Sequence, residues 1–225
     1  MREFEFEQVS LNVRWNYEKI THALPVTGTE AFGVLCKRLA PFGLAPSRIF
    51  LDAPSNKLGD AVMTIILLNG RLVVKFWISS FEIFLDELYE DDEQNVVDIA
   101  NIVFDALSKI DEEVRTGTPH IRLMYHLKLD STENTKILSE YINEPDSDHK
   151  LIPEMAIYRI NVETNPGLQN ARVAIAKSVT YKDSIFVELN LDYSRIENVT
   201  DFKEKIEANV CEIFEMFGLT ARTIQ

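Results

Sequence analysis

Between Ala61 and Ser79 the sequence runs AVMTIILL, then NG, then RLVVKFWIS. Two apolar runs rich in β-branched residues flank an Asn-Gly pair, and that pair tolerates the positive φ of a tight type I′ turn. The pattern predicts an antiparallel hairpin with one register: Met63, Ile65 and Leu67 stand beside Phe76, Val74 and Leu72. That face is apolar throughout and belongs to a core. The opposite face mixes Leu68, Ile66 and Val73 with Thr64, Arg71 and Lys75, so it is covered only in part.

Period-two alternation recurs along the chain. In EFEFEQVSLNVRWNY, Phe4 and Phe6 share a face, and the apolar parity then switches to Val9, Leu11, Val13 and Trp15. One inserted residue, a bulge between Phe6 and Val9, accounts for the switch. Ile121, Leu123, Tyr125, Leu127 and Leu129 line a second long strand. A strand from Met155 to Val162 follows, then a pair over 171–180 and 184–193 joined near Lys182 and Asp183. In the last of these Ile185, Val187, Leu189 and Leu191 alternate with Glu188, Asn190 and Asp192, which leaves one face at or near solvent.

Helical spacing appears in three longer places. Phe32, Leu35, Cys36 and Leu39 follow a candidate N-cap at Thr29 and stop before Pro41. Val96, Ala100, Val103, Leu107, Ile110 and Val114 form a stripe over about Asn95–Glu113. Phe202, Ile206, Val210, Ile213, Phe214 and Phe217 do so over about 200–217, and a shorter helix is expected around 133–142. The fold class expected is therefore α+β, in two related halves, 1–115 and 119–225, fused into one unit. Each half reads strand, helix, antiparallel strands, long helix, with the helices on one face of the sheet. NVVD at Asn95 and NVTD at Asn198 echo each other at the two long-helix starts. The longer echo, CKRLAPFGLAP from Cys36 and CEIFEMFGLTA from Cys211, aligns a first helix with a last one. It is read as helix-stop grammar, a Gly at the left-handed C′ position with an apolar residue after it.

Charge narrows the partners. The 225 residues carry 36 Asp and Glu against 23 Lys and Arg, a formal charge of −13. Nucleic acid is bound chiefly through cations at the phosphates, so it is not expected as a partner; a basic protein, or solubility alone, is. The two cysteines form no CxxC, the opening MREFEFEQVS has no apolar core of a signal peptide, and no apolar run reaches membrane-span length. Cytoplasmic residence is the expectation.

Chemistry-bearing motifs are sparse. There is no G-x-S-x-G, Walker loop, G-x-G-x-x-G or HExxH. His120 and His126 share a strand face but lie about 20 Å apart, too far to ligate one metal, and His22 and His149 fall in loops. Cys36 and Cys211 sit on apolar helix faces or their edges and are read as buried structural thiols. No cofactor and no metal site is expected. The densest charge cluster is Glu82, Asp86, Glu87, Glu90, Asp91, Asp92 and Glu93, readable as a solvated helix start or as a docking surface for a basic partner. A second candidate set is Arg122, His126, Glu188 and Asp192, neighbours only if the two halves pair suitably, together with Trp77 in the aromatic-rich first sheet.

From NGRLVVKFWISSFEIFLDELY through HIRLMYHLKLD to IFVELNLDYS and FKEKIEANVCEIFEMFGLT, the chain resembles a sporadically distributed family of uncharacterised prokaryotic proteins. The motifs carrying the resemblance are Arg122 with Tyr125, then Leu191, Asp192 and Tyr193, then Phe217 and Thr220. The resemblance implies no activity and assigns no catalytic residue. The functional expectation is a non-enzymatic binding or interaction protein, an adaptor or an immunity-type inhibitor of a basic partner, with exposed strands suited to homodimer formation. The alternative is a small-molecule-binding domain or a hydrolase with its pocket between the first sheet and the 95–113 helix.

Overall fold

The computed structural model describes residues 2–17, 29–52, 60–89, 92–109, 117–129, 133, 136–137, 140–141, 155–160, 167–194 and 199–221. Its frame is a ten-stranded sheet: β1 (Arg2–Asn16), β2 (Ile49–Asp52), β3 (Val62–Leu67), β4 (Leu72–Phe76), β5 (Ser80–Leu85), β6 (Thr118–Lys128), β7 (Met155–Ile160), β8 (Leu168–Lys177), β9 (Ser184–Tyr193) and β10 (Leu219–Ala221). The order is β2-β3-β4-β5-β1-β6-β9-β8-β7, antiparallel at every step, with β10 added in parallel to the start of β1. Three helices are described along their length: α1 (Thr29–Leu39), α2 (Asp92–Ser108) and α3 (Val199–Met216).

The long strand β1 is the hub, because it pairs with β5 on one side and β6 on the other. The parity switch in its sequence is a bulge, with the register against β6 shifting between Phe6 and Gln8. Without it, Phe4 and Trp15, both buried, could not point to the same side. That side is also where the helices lie. Leu35 and Leu39 of α1, Ile99 and Val103 of α2 and Ile213 and Phe214 of α3 join one core with the inward residues of β3, β4, β5, β6, β8 and β9. Buried Asn209 of α3 donates from Nδ2 to the Tyr193 hydroxyl of β9 over 2.7 Å, and burial pushes that phenol up to about 12. A hydrogen bond made where water is absent fixes the rotation of α3 on the sheet more firmly than apolar contact does.

The hairpin has the expected register, Met63 opposite Phe76, Ile65 opposite Val74 and Leu67 opposite Leu72. Its turn is tighter on the backbone than Asn-Gly alone requires. Asn69 and Gly70 have φ of 57° and 102°, and the Arg71 N–H donates to the Leu68 carbonyl, as a type I′ turn demands. Leu68 also has φ of 48°, so the ladder stops one pair early. A Cβ at Gly70 would meet no neighbour, so substitution there isolates backbone strain from packing. Gly70→Ala is expected to cost about 1–2 kcal/mol in urea denaturation, with the circular dichroism spectrum unchanged.

Both glycines of the Phe-Gly-Leu echo are left-handed, Gly43 at φ 82° and Gly218 at φ 65°, each with its N–H returned to a carbonyl three residues back. The reading as helix-stop grammar is what the backbone displays. Strands β2, β5 and β10 are additions to the sequence reading. β5 had a signal in its alternating Phe81, Ile83 and Leu85, all buried. The other two are too short to alternate visibly. α2 begins at Asp92 rather than Asn95. Ile110, Val114 and Val162, the side chains of Thr29 and Phe202, and most of the 133–142 helix lie outside the described residues.

Candidate ligand cavity

A cavity of about 270 Å³ lies between the covered face of the sheet and the gap separating α2 from α3. Its floor is Leu11, Val13 and Trp15 of β1, Phe81 and Ile83 of β5, and Leu123 and Tyr125 of β6. The floor therefore straddles the seam between β1 and β6, where Leu11 pairs with Leu123. Helix α2 supplies Glu93, Val96, Val97, Ala100 and Phe104; α3 supplies Lys203, Ile206, Glu207, Val210 and Cys211. These recur at three- and four-residue spacing, so each helix has an apolar arc wider than the sheet below can fill. The surplus arcs face one another across the gap.

One end is closed by rings. Trp15 and Phe104 meet edge to face at 4.7 Å, and Phe81 and Phe104 at 5.1 Å. The polar groups stand at the mouth. Lys203 Nζ donates to Glu93 Oε2 over 2.7 Å and lies 3.5 Å from Glu207 Oε1. The hydrogen bond to Glu93 is the main cause of the raised pKa of Lys203. Two carboxylates against one ammonium give the mouth a formal charge of −1. Burial raises the Tyr125 phenol, and the nearby Cys211 thiol adds to the shift. Both cysteines correct the expectation of two buried thiols: Cys211 is exposed where α3 lines the cavity, and Cys36 is half-buried.

The residues singled out in the sequence fall elsewhere. Of the acidic run, Glu90 and Asp91 lie outside the described residues, and the others separate. Glu82 projects from β5 on the opposite face, opposite Lys75 and Arg14. Asp86 receives Gln8 Nε2 on its backbone carbonyl, and Glu87 Oε2 accepts the Tyr89 hydroxyl at 2.6 Å. Asp92 is buried at the start of α2 and accepts hydrogen bonds from Nη1 and Nη2 of Arg71. Glu93 alone reaches the cavity, bound to Lys203.

Of the second set only Arg122 and Glu188 meet, on the uncovered face; His126, Asp192 and Trp77 each take other partners. Pairing of β6 with β9 brings Arg122 Nη2 to Glu188 Oε2 at 2.7 Å and His120 Nδ1 to Asp192. Burial opposes ionisation of Glu188 and Asp192, but donors outweigh it and hold both below the usual carboxylate range: Arg122 and Asn190 on Glu188, Asn170 and His120 on Asp192. His126 Nδ1 lies 2.9 Å from Ser178 Oγ. That oxygen already accepts the Thr180 and Tyr181 N–H groups, so its own proton is the one available to His126. Burial lowers the His126 pKa, against a raising influence from Glu7. Trp77 sits in the β4–β5 turn under the Arg14 guanidinium, 5.4 Å from ring centre, and lines no part of the cavity.

Among the described residues no group of three His, Cys, Asp and Glu side chains is placed to hold a metal ion. Among the same residues no helix is long and apolar enough to cross a membrane. No family model matches the chain, and no curated protein matches it.

Proposed function

We propose that this protein is a non-catalytic binding protein whose ligand is a compact, largely apolar small molecule held between α2 and α3. The observation that carries the reading is the cavity, built from two helical arcs and the central strands, with its polar groups confined to the mouth. Ligand sites are commonly concave, apolar and marked by a few placed polar groups. At about 270 Å³ the cavity is nearly twice the size of one that takes benzene, which suits a ligand of roughly ten to fifteen heavy atoms. The mouth charge favours a neutral or cationic head group over an anionic one. The basic-partner reading is weaker on this geometry, since Glu87, Asp92 and Glu93 are each bound within the chain.

We further infer that the halves 1–115 and 119–225 are related. What supports it is strand order: from the β1–β6 seam the sheet runs β5-β4-β3 one way and β9-β8-β7 the other, and α2 and α3 follow β5 and β9. The cavity lies on that seam.

The test uses the two tryptophans. Trp77→Phe removes the one outside the cavity and leaves Trp15 in its wall as the sole emitter. Titration with bromobenzene is expected to quench Trp15 saturably, and Ala100→Leu, which fills the cavity, to convert this to weak linear quenching. Linear quenching in both proteins would sink the reading. Native mass spectrometry of protein from its own host would then name the bound molecule.

A further inference from the structure

The face of the sheet away from the helices has its own chemistry where β7 and β8 end it. Arg159 of β7 stands directly opposite Arg172 of β8, and both are exposed. Like charges in that relation repel. Arg172 feels Asp192 at a distance, but Asp192 is already bound to His120 and Asn170, and Glu188 to Arg122 and Asn190. Lys128 of β6 stands opposite Glu5 of β1, but toward its edge this face carries Arg159 and Arg172 on β7 and β8, which hold no carboxylate. It is thus locally positive on a chain of formal charge −13.

Beside the arginine pair, on the same face, Ile157 is 68% exposed and Met155 48%. The two alanines behind them, Ala174 and Ala176, are small and leave a shelf. β7 also ends the strand order, so among the described residues its outer backbone edge has no partner strand. Edge strands are usually blunted by charge, proline or a bulge. Here Arg159 is the one charge among Met155–Ile160, and it sits next to a second arginine.

We propose that β7 is an interaction edge that takes up one extended strand from an acidic partner polypeptide. Main-chain hydrogen bonds to β7 would supply affinity, and alternate side chains would supply selectivity. The register fixes the motif: apolar residues opposite Met155 and Ile157 and a carboxylate opposite Arg159, at successive alternate positions. The carboxylate would bridge Arg159 and Arg172 and remove their repulsion. This surface lies on the other side of the sheet from the cavity and is independent of it.

The probe is a fluorescein-labelled peptide with Val, Val and Glu at alternate positions and Thr between, tested with its reversed sequence because either strand direction fits. Fluorescence anisotropy is expected to show saturable binding of one of the two. Arg159→Glu should weaken it at least tenfold, and Lys in place of Glu in the peptide should do the same. Both Arg159 and Ile157 are exposed, so Ile157→Glu is expected to keep the wild-type Tm and Arg159→Glu, which turns a like-charge pair into an opposite one, to keep or slightly raise it; Tm is measured alongside. Equal affinity for wild type and Arg159→Glu would overturn the proposal, as would preference for a single-stranded oligonucleotide. So would sedimentation showing a wild-type dimer that Ile157→Glu dissociates, because β7 would then be taken by a second copy.

Discussion

Gly117→Ala is expected to destabilise the fold by about 2–4 kcal/mol, the range of severe overpacking against a part that cannot move. Gly117 leads into β6 at the point where that strand begins to pair with the end of β1. A Cβ there would lie 2.2 Å from Trp15 Nε1 and 2.3 Å from the Asn16 carbonyl oxygen. The second contact is with backbone held in the ladder, so the clash is not relieved by a rotamer change. Nor can Trp15 retreat easily, because Phe81 stacks on one side and Phe104 meets it edge-on. The outcome to measure is the urea midpoint together with Trp15 emission in a Trp77→Phe background. A loss below about 0.5 kcal/mol, the scale of ordinary surface changes, would show that the β1–β6 seam is looser than this packing implies.

That seam also marks where the sequence stopped being informative. The sequence reading gives β1, β3, β4, β6, β7, β8 and β9, and even the β1 bulge, because parity and turn residues are local properties. Which strand lies beside which is not local. Nothing in Leu11 or Leu123 taken alone says that they are neighbours, and that pairing is what joins the sheet into ten strands. The sequence reading puts a pocket between the first sheet and the 95–113 helix, and the cavity does touch both, but its second wall, α3, is out of reach for the same reason. Val96 and Ala100 were read as buried stripe residues of α2, as were Ile206 and Val210 of α3, but only the spacing of the helices shows that they face a gap. Trp77 was legible in principle, since inward Phe76 forces its neighbour outward on a strand. Arg122, His126, Glu188 and Asp192 are expected to meet only if the two halves pair, but β6 and β9 both belong to the second half, and their own register brings Arg122 to Glu188 and His120 to Asp192 while His126 turns to Ser178.

The acidic run was the feature most misleading as a sequence cluster, and Asp92 shows why. Its side chain is 4% exposed, it begins α2, and it accepts the Tyr89 N–H as well as the Arg71 guanidinium. Arg71 comes from the β3–β4 turn, so this pair ties the hairpin to the helix that roofs the cavity. Burial acts to raise the Asp92 pKa, but hydrogen bonds from Arg71, Tyr89 and Asn95 outweigh it and the net shift is downward. A carboxylate depressed in the folded state adds stability that is fully present above its unfolded pKa near 3.9. That stability is lost as pH falls through the folded value. Asp92→Ala removes the acceptor of the Tyr89 N–H and strands Arg71, which at 35% exposure recovers some hydration. The expected cost at pH 7 is about 2–4 kcal/mol, between the loss of a charged hydrogen bond and the loss of one partner of a buried pair. The difference between wild type and variant should stay flat from pH 7 to about pH 5 and shrink below pH 4, as protonation takes from the wild type what the substitution has already removed. A difference that held constant down to pH 2.5 would mean that Asp92 acts by packing alone, and that the hairpin and α2 are joined by contact rather than by charge.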